Sequence, residues 1–212
     1  MSSLASINGA NLCALENITP KKHGLVRLGP DLSLACGRVH EAMGAAADMF
    51  ALAIAAYANG PVVWIGRTED VVSLAPPGIQ EYLDPSQVIV VSCVTRQETL
   101  WATEQALRLP GAACVVAEIG DGTDLKTSRR LQIAAEEGGA LGIILISGRA
   151  QTSAAQTRWQ CDPITDEEAS WGWRLVKNKS GNMGCWRVKW EQGDGRKDNA
   201  PGIVLMAAAA AA

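Results

Sequence analysis

Gly37-Arg38-Val39-His40-Glu41-Ala42-Met43-Gly44-Ala45-Ala46-Ala47-Asp48-Met49-Phe50-Ala51 is the stretch that decides the fold. Residues 38–43 read as a short strand that stops at Gly44. Asp48 is placed to cap a helix running to Asn59, where Gly60 and Pro61 close it. Strand, turn and helix in this order are the layout of a phosphate-binding P-loop. The residue types do not suit that task. A P-loop needs a glycine ahead of its lysine so that the backbone can wrap the phosphates, a lysine for their charge, and a hydroxyl for the metal. Those positions hold Met49, Phe50 and Ala51. Phe50 carries no charge and Ala51 no oxygen. Asp48 adds a negative charge at the helix N-terminus, where a nucleotide phosphate would sit. Gly44, Asp48, Met49, Phe50 and Ala51 are therefore expected to form a degenerate P-loop with no cofactor bound, no metal and no catalytic role.

Downstream the strand–helix pattern repeats. The apolar runs PVVWIG (61–66), QVIVVSC (87–93), AACVVAEI (112–119) and LGIILIS (141–147) read as buried strands. Between them lie a short helix over 77–83, a helix capped by Thr95 that runs to Leu109, and a helix over 125–137 ended by Gly138-Gly139. Continuous apolar strands alternating with amphipathic helices predict a mostly parallel sheet flanked by helices on both faces, an α/β fold.

After Ser147 the character changes. Residues 148–156 read as a loop and 157–161 as a further strand candidate. Residues 171–178 and 185–191 read as a C-terminal β-hairpin around Lys179-Ser180-Gly181-Asn182. Alternation puts Trp186, Val188 and Trp190 on one face and Arg187, Lys189 and Glu191 on the other. Trp171, Trp173 and Leu175 likewise share a face opposite Arg174. The expected organisation is an N-terminal arm over 1–30, with a short helix near 10–16, a core over 31–165, the hairpin within 166–192, and a flexible tail over 193–212.

The chain has 212 residues, 48% hydrophobic and 19% charged, which is a globular composition. A net charge of −3 excludes a bulk electrostatic DNA binder, so any DNA contact must come from a local basic patch or through a partner. Cys13, Cys36, Cys93, Cys114, Cys161 and Cys185 include no CxxC pair, and with only His23 and His40 beside them they predict no zinc cluster. The first residues lack the basic flank and apolar core of a signal peptide. The Ala-rich segment 45–58 is too short to span a membrane and contains Asp48. These features predict a cytoplasmic protein without membrane contact.

The pattern GR-V-HE-x-x-G at 37–44, followed by Phe50-Ala51-Leu52-Ala53, resembles the ImuA family, a RecA-like family of bacterial SOS mutagenesis cassettes. PVVWI (61–65), Trp101, SRRLQIAAE (128–136), AQTRW (155–159) and the hairpin around Trp173–Asn178 and Trp186–Trp190 extend the resemblance over roughly 25–192. It implies a RecA-like core with a degenerate P-loop. It also implies a non-enzymatic accessory role in error-prone translesion DNA synthesis. The implied partners are an ImuB-like Y-family polymerase homologue, an error-prone C-family polymerase and RecA. A second reading follows from the related SulA scaffold: an inhibitor that binds a polymerising protein, such as a cell-division protein or RecA, and blocks its assembly.

Several other residues carry candidate chemistry. Glu118 ends a strand where an ATPase keeps a metal-binding acid, with Asp121 and Asp124 behind it; without the lysine, a solvated strand-end cluster is the preferred reading. His40 and Glu41 have no nucleophile beside them and are expected to be structural. Arg149 and Arg158 could touch phosphate and Trp159 could stack on a base, against a reading in which Trp159 packs in the core. Arg174, Lys177, Lys179, Arg187 and Lys189 concentrate on the hairpin as a candidate face for a partner or DNA.

Overall fold

The computed structural model describes residues 24–29, 31–71, 76–165, 170–191 and 202–206. The helix expected near 10–16 lies outside them, as do Cys13 and His23. Strands β1 (Leu25–Arg27) and β2 (Ser33–Ala35) pair antiparallel as a small hairpin. Strand β3 (Val39–Met43) leads into helix α1 (Ala47–Ala58), and β4 (Val62–Arg67) follows. Short helices α2 (Thr68–Val71) and α3 (Pro76–Gln80) precede β5 (Val88–Cys93). Then come α4 (Arg96–Arg108), β6 (Cys114–Glu118), α5 (Leu125–Gly138) and β7 (Leu141–Ile146). The chain continues as β8 (Thr157–Ile164), β9 (Ser170–Asn178), β10 (Gly184–Glu191) and β11 (Gly202–Met206).

The main sheet has nine strands in the order β11-β10-β9-β8-β3-β7-β6-β4-β5. Along that order, the pairings from β8 to β5 are parallel and those from β11 to β8 antiparallel. The fold is thus the expected α/β one, a mostly parallel sheet flanked by helices and compatible with a RecA-like core. One face packs Phe50, Ala51 and Ile54 of α1 with Trp64, Leu141, Ile143, Leu145, Trp159 and Trp173. The β1–β2 hairpin adds Val26, Leu28, Leu32 and Leu34 to this layer. The other face packs Val63, Ile65, Val115, Ala117, Ile144 and Ile146 against Ala106 and Leu107 of α4 and Leu131, Ala134 and Ala135 of α5. The period of two along each strand distributes these side chains to the two layers.

The structure corrects several expectations. Asp48 does not cap α1: the N-cap is Ala46, without a side-chain hydrogen bond, and Asp48 sits inside the first turn. The helix ends at Ala58, with Asn59 left-handed at φ 53° as its C-cap. Strand β5 is not buried; it is the edge of the sheet, with Ile89 54% and Val90 48% exposed. The strand candidate at 157–161 extends to Ile164 as β8 and joins the parallel series by pairing with β3. The segment expected as a flexible tail contributes β11, which pairs antiparallel with β10. Part of the expected arm forms β1, whose Val26 is buried. Thr95 does cap α4, in a full capping box with Glu98. Among the described residues, no helix is long and apolar enough to cross a membrane.

Candidate functional site

The turn from β3 into α1 occupies the place where an α/β sheet usually binds its ligand, at the carboxyl end of a strand. Gly44 stands there at φ +101°, and a Cβ on it would run into the Cys161 carbonyl oxygen. The turn is therefore pressed onto β8. The Ala46 amide donates to that same carbonyl at 3.0 Å, so an N–H of the turn is already used within the protein. Phe50, at the position of a P-loop lysine, is fully buried. Its ring centroid lies 4.9 Å from that of Trp173, edge-on, and 5.3 Å from that of Trp159. Ala51 is buried and Met49 half-buried. The position that neutralises phosphate in a P-loop is here an aromatic anchor of the core.

The electrostatics point the same way. Asp48 reaches the surface, yet partial desolvation raises its carboxyl above the ordinary range. Glu118, at the end of β6, is also raised, first by burial and then by the charges of Asp48 and Asp70. Its Oε1 accepts a hydrogen bond from Trp64 Nε1 at 2.6 Å. Glu118 is therefore tied to the core and not solvated as expected. The corner collects carboxylates where a nucleotide would bring more negative charge. No cluster of three or more metal-ligating side chains occurs among the described residues. Asp121 accepts from the Arg149 amide at 2.7 Å, and Asp124 caps α5 through the Thr127 amide. Both acids organise loops.

His40 is structural as expected. Its Nε2 donates to the Ala35 carbonyl at 3.0 Å, and Nδ1 lies 2.7 Å from the Thr157 hydroxyl, which also accepts from Trp159 Nε1 at 2.8 Å. Burial lowers its pKa to about 4. The unfolded chain, with an ordinary histidine near 6.5, takes up the proton first. This contribution is therefore complete above pH 6.5 and is lost as pH falls towards 4. The whole shift corresponds to a loss on the order of 3 kcal/mol. Urea denaturation at pH 7 and at pH 5 is expected to differ by about 2 kcal/mol of that loss, and a His40→Asn variant to show a flatter profile.

The loop 148–156 is held from beneath by the cations expected to meet DNA. Arg158 Nε and Nη2 both lie 2.7 Å from Oε2 of the buried Glu41. The same guanidinium donates to the Gln151 carbonyl and the Ser153 hydroxyl. Lys177 donates to the Ser153 carbonyl at 2.6 Å, and Lys179 to the Ala154 carbonyl at 2.6 Å. Burial lowers the Lys177 pKa. Trp159 is 2% exposed, so no ring face is turned outward for a base. Of the two readings of Trp159, the structure bears out the core one, and Arg158 and Lys177 serve the loop. Sequence reasoning misses the Glu41–Arg158 pair, since no local signal links positions so far apart.

Arg149 and Arg174 are exposed. Arg174 stands opposite Cys185 in the β9–β10 ladder, and Arg187 opposite Gly172, which puts Arg174, Arg187 and Lys189 on one sheet face. Lys189 pairs with Glu191 at 2.8 Å. The opposite face of the hairpin buries Trp173 and Val188, and half-buries Trp186 against Trp159 with ring centroids 5.4 Å apart. The structure therefore joins Arg174, Arg187 and Lys189 in one patch and assigns Arg158, Lys177 and Trp159 elsewhere.

No protein-family model matches the chain. It is 33% identical over 155 residues to Protein ImuA of Caulobacter vibrioides, in strain NA1000 / CB15N and equally in strain ATCC 19089 / CIP 103742 / CB 15. The match covers 63% of this chain, and the chain spans 62% of the length of these curated relatives. Over this region the chain is similar to the ImuA proteins, and its mostly parallel sheet is compatible with a RecA-like fold.

Proposed function

We propose that this chain is a non-catalytic accessory protein of SOS-induced mutagenesis, a RecA-like scaffold that has given up nucleotide chemistry. The observation that carries the reading is Phe50, buried between Trp159 and Trp173 where a P-loop keeps its lysine. Such a site supports packing, and binding by the protein then falls to its surface. On this proposal the chain helps to assemble error-prone translesion synthesis with an ImuB-like Y-family polymerase homologue, a C-family polymerase and RecA. Arg174, Arg187 and Lys189 form its contact face, and DNA is reached through the partners.

The test is co-expression with the ImuB-like protein of the same genome, followed by affinity capture and size exclusion. A complex that survives nuclease treatment and is lost in Arg187→Glu/Lys189→Glu is the expected result. Failure to form any complex, with binding to a cell-division protein or to RecA alone, would replace the assembly role with the inhibitor role.

A further inference from the structure

The β5 edge of the sheet is built unlike a protected edge. Natural edge strands are kept apart by charge, proline, bulges or a covering element. Residues 87–94, QVIVVSCV, contain no charged residue and no proline. Strand β5 pairs with β4 without a register shift, and among the described residues no strand pairs on its other side. Ile89 and Val90 are 54% and 48% exposed, on opposite faces of the sheet, and Val94 just beyond is 81% exposed. A strand edge offers a row of outward N–H and C=O groups, and these recognise another extended strand.

We infer that this edge pairs with the same edge of a second copy, antiparallel about a two-fold axis normal to the sheet. Three features select that occupant. An isologous contact requires a surface complementary to itself, and two uncharged edges meet without like-charge repulsion. The centre of the strand, Ile89-Val90-Val91, is nearly the same read in either direction. With the axis at Val90, alternation sets Val90 against Val90 of the second copy and Ile89 against Val91 of the second copy, so apolar pairs form on both faces. The dimer would close on itself, and the Arg174–Arg187–Lys189 patch, on the far side of the sheet order, lies outside its contact in each copy.

Light scattering coupled to size exclusion, across a wide range of protein concentration, tests the inference. A dimer is expected, and Val90→Lys should shift it to monomer while the far-UV circular dichroism of the folded chain stays the same, since Val90 is exposed. A Val90→Cys variant gives a second readout: cross-linking should yield a linked peptide joining position 90 of both copies. A monomer at all concentrations would overturn the inference. So would a dimer that persists in Val90→Lys, or a concentration-dependent ladder of larger species, which signals open head-to-tail pairing. None of these outcomes depends on an ImuB-like partner.

Discussion

Phe50→Ala is expected to lose about 3–5 kcal/mol of folding stability, the range for truncating a buried aromatic ring. The ring touches two tryptophans from different strands, Trp159 on β8 and Trp173 on β9. Its removal opens a cavity where α1 meets the antiparallel side of the sheet, and the neighbouring strands cannot close it without moving the Trp159–Trp186 contact. For a domain of this size, the thermal midpoint should fall by about 2–4 °C per kcal/mol. Phe50→Lys/Ala51→Thr, which restores two P-loop residue types, should be at least as unstable because it buries an unpaired charge. It should not hydrolyse ATP, because Met49 still replaces the glycine and Asp48 still charges the helix end. Calorimetry and a phosphate-release assay check the two halves of this prediction.

Arg158→Ala is expected to cost about 3–5 kcal/mol, because it leaves a buried carboxylate without its partner. Glu41 is 1% exposed, and both Arg158 nitrogens converge on one of its oxygens. The same substitution removes donors to Gln151 and Ser153, so the loop 148–156 should also exchange its amides faster. Replacing both partners, as in Glu41→Leu/Arg158→Met, should recover most of the loss, since an apolar pair of similar volume is often neutral. Urea denaturation of the single and double variants measures both effects. If Arg158→Ala matches the parent in stability, the pair is not the anchor described above.

Much of the fold was legible because its signals are local. Strand β3, the turn at Gly44 and helix α1 follow from a short strand-like segment, one glycine and one Ala-rich helical stretch. Thr95 and Glu98 announce the start of α4 by a pattern of four residues. Less legible was where a strand sits in the sheet. The run VIVVSC reads as buried in either place, and only the strand order reveals β5 as an edge. Gly202–Met206 is short and follows polar residues, so its pairing with β10 could not be read locally. For Trp159 a usable signal existed: Thr157, Trp159 and Cys161 alternate with Arg158 and Gln160, and that period of two places the indole inward. The Glu41–Arg158 pair depends on β3 lying beside β8, a long-range fact with no local trace.

If the turn after β3 serves the core and not a nucleotide, the protein should be indifferent to ATP. Isothermal titration of the purified protein with ATP and magnesium tests this most directly. No saturable heat is expected at millimolar nucleotide. Stoichiometric binding that is lost when the β3–α1 turn is altered would contradict it.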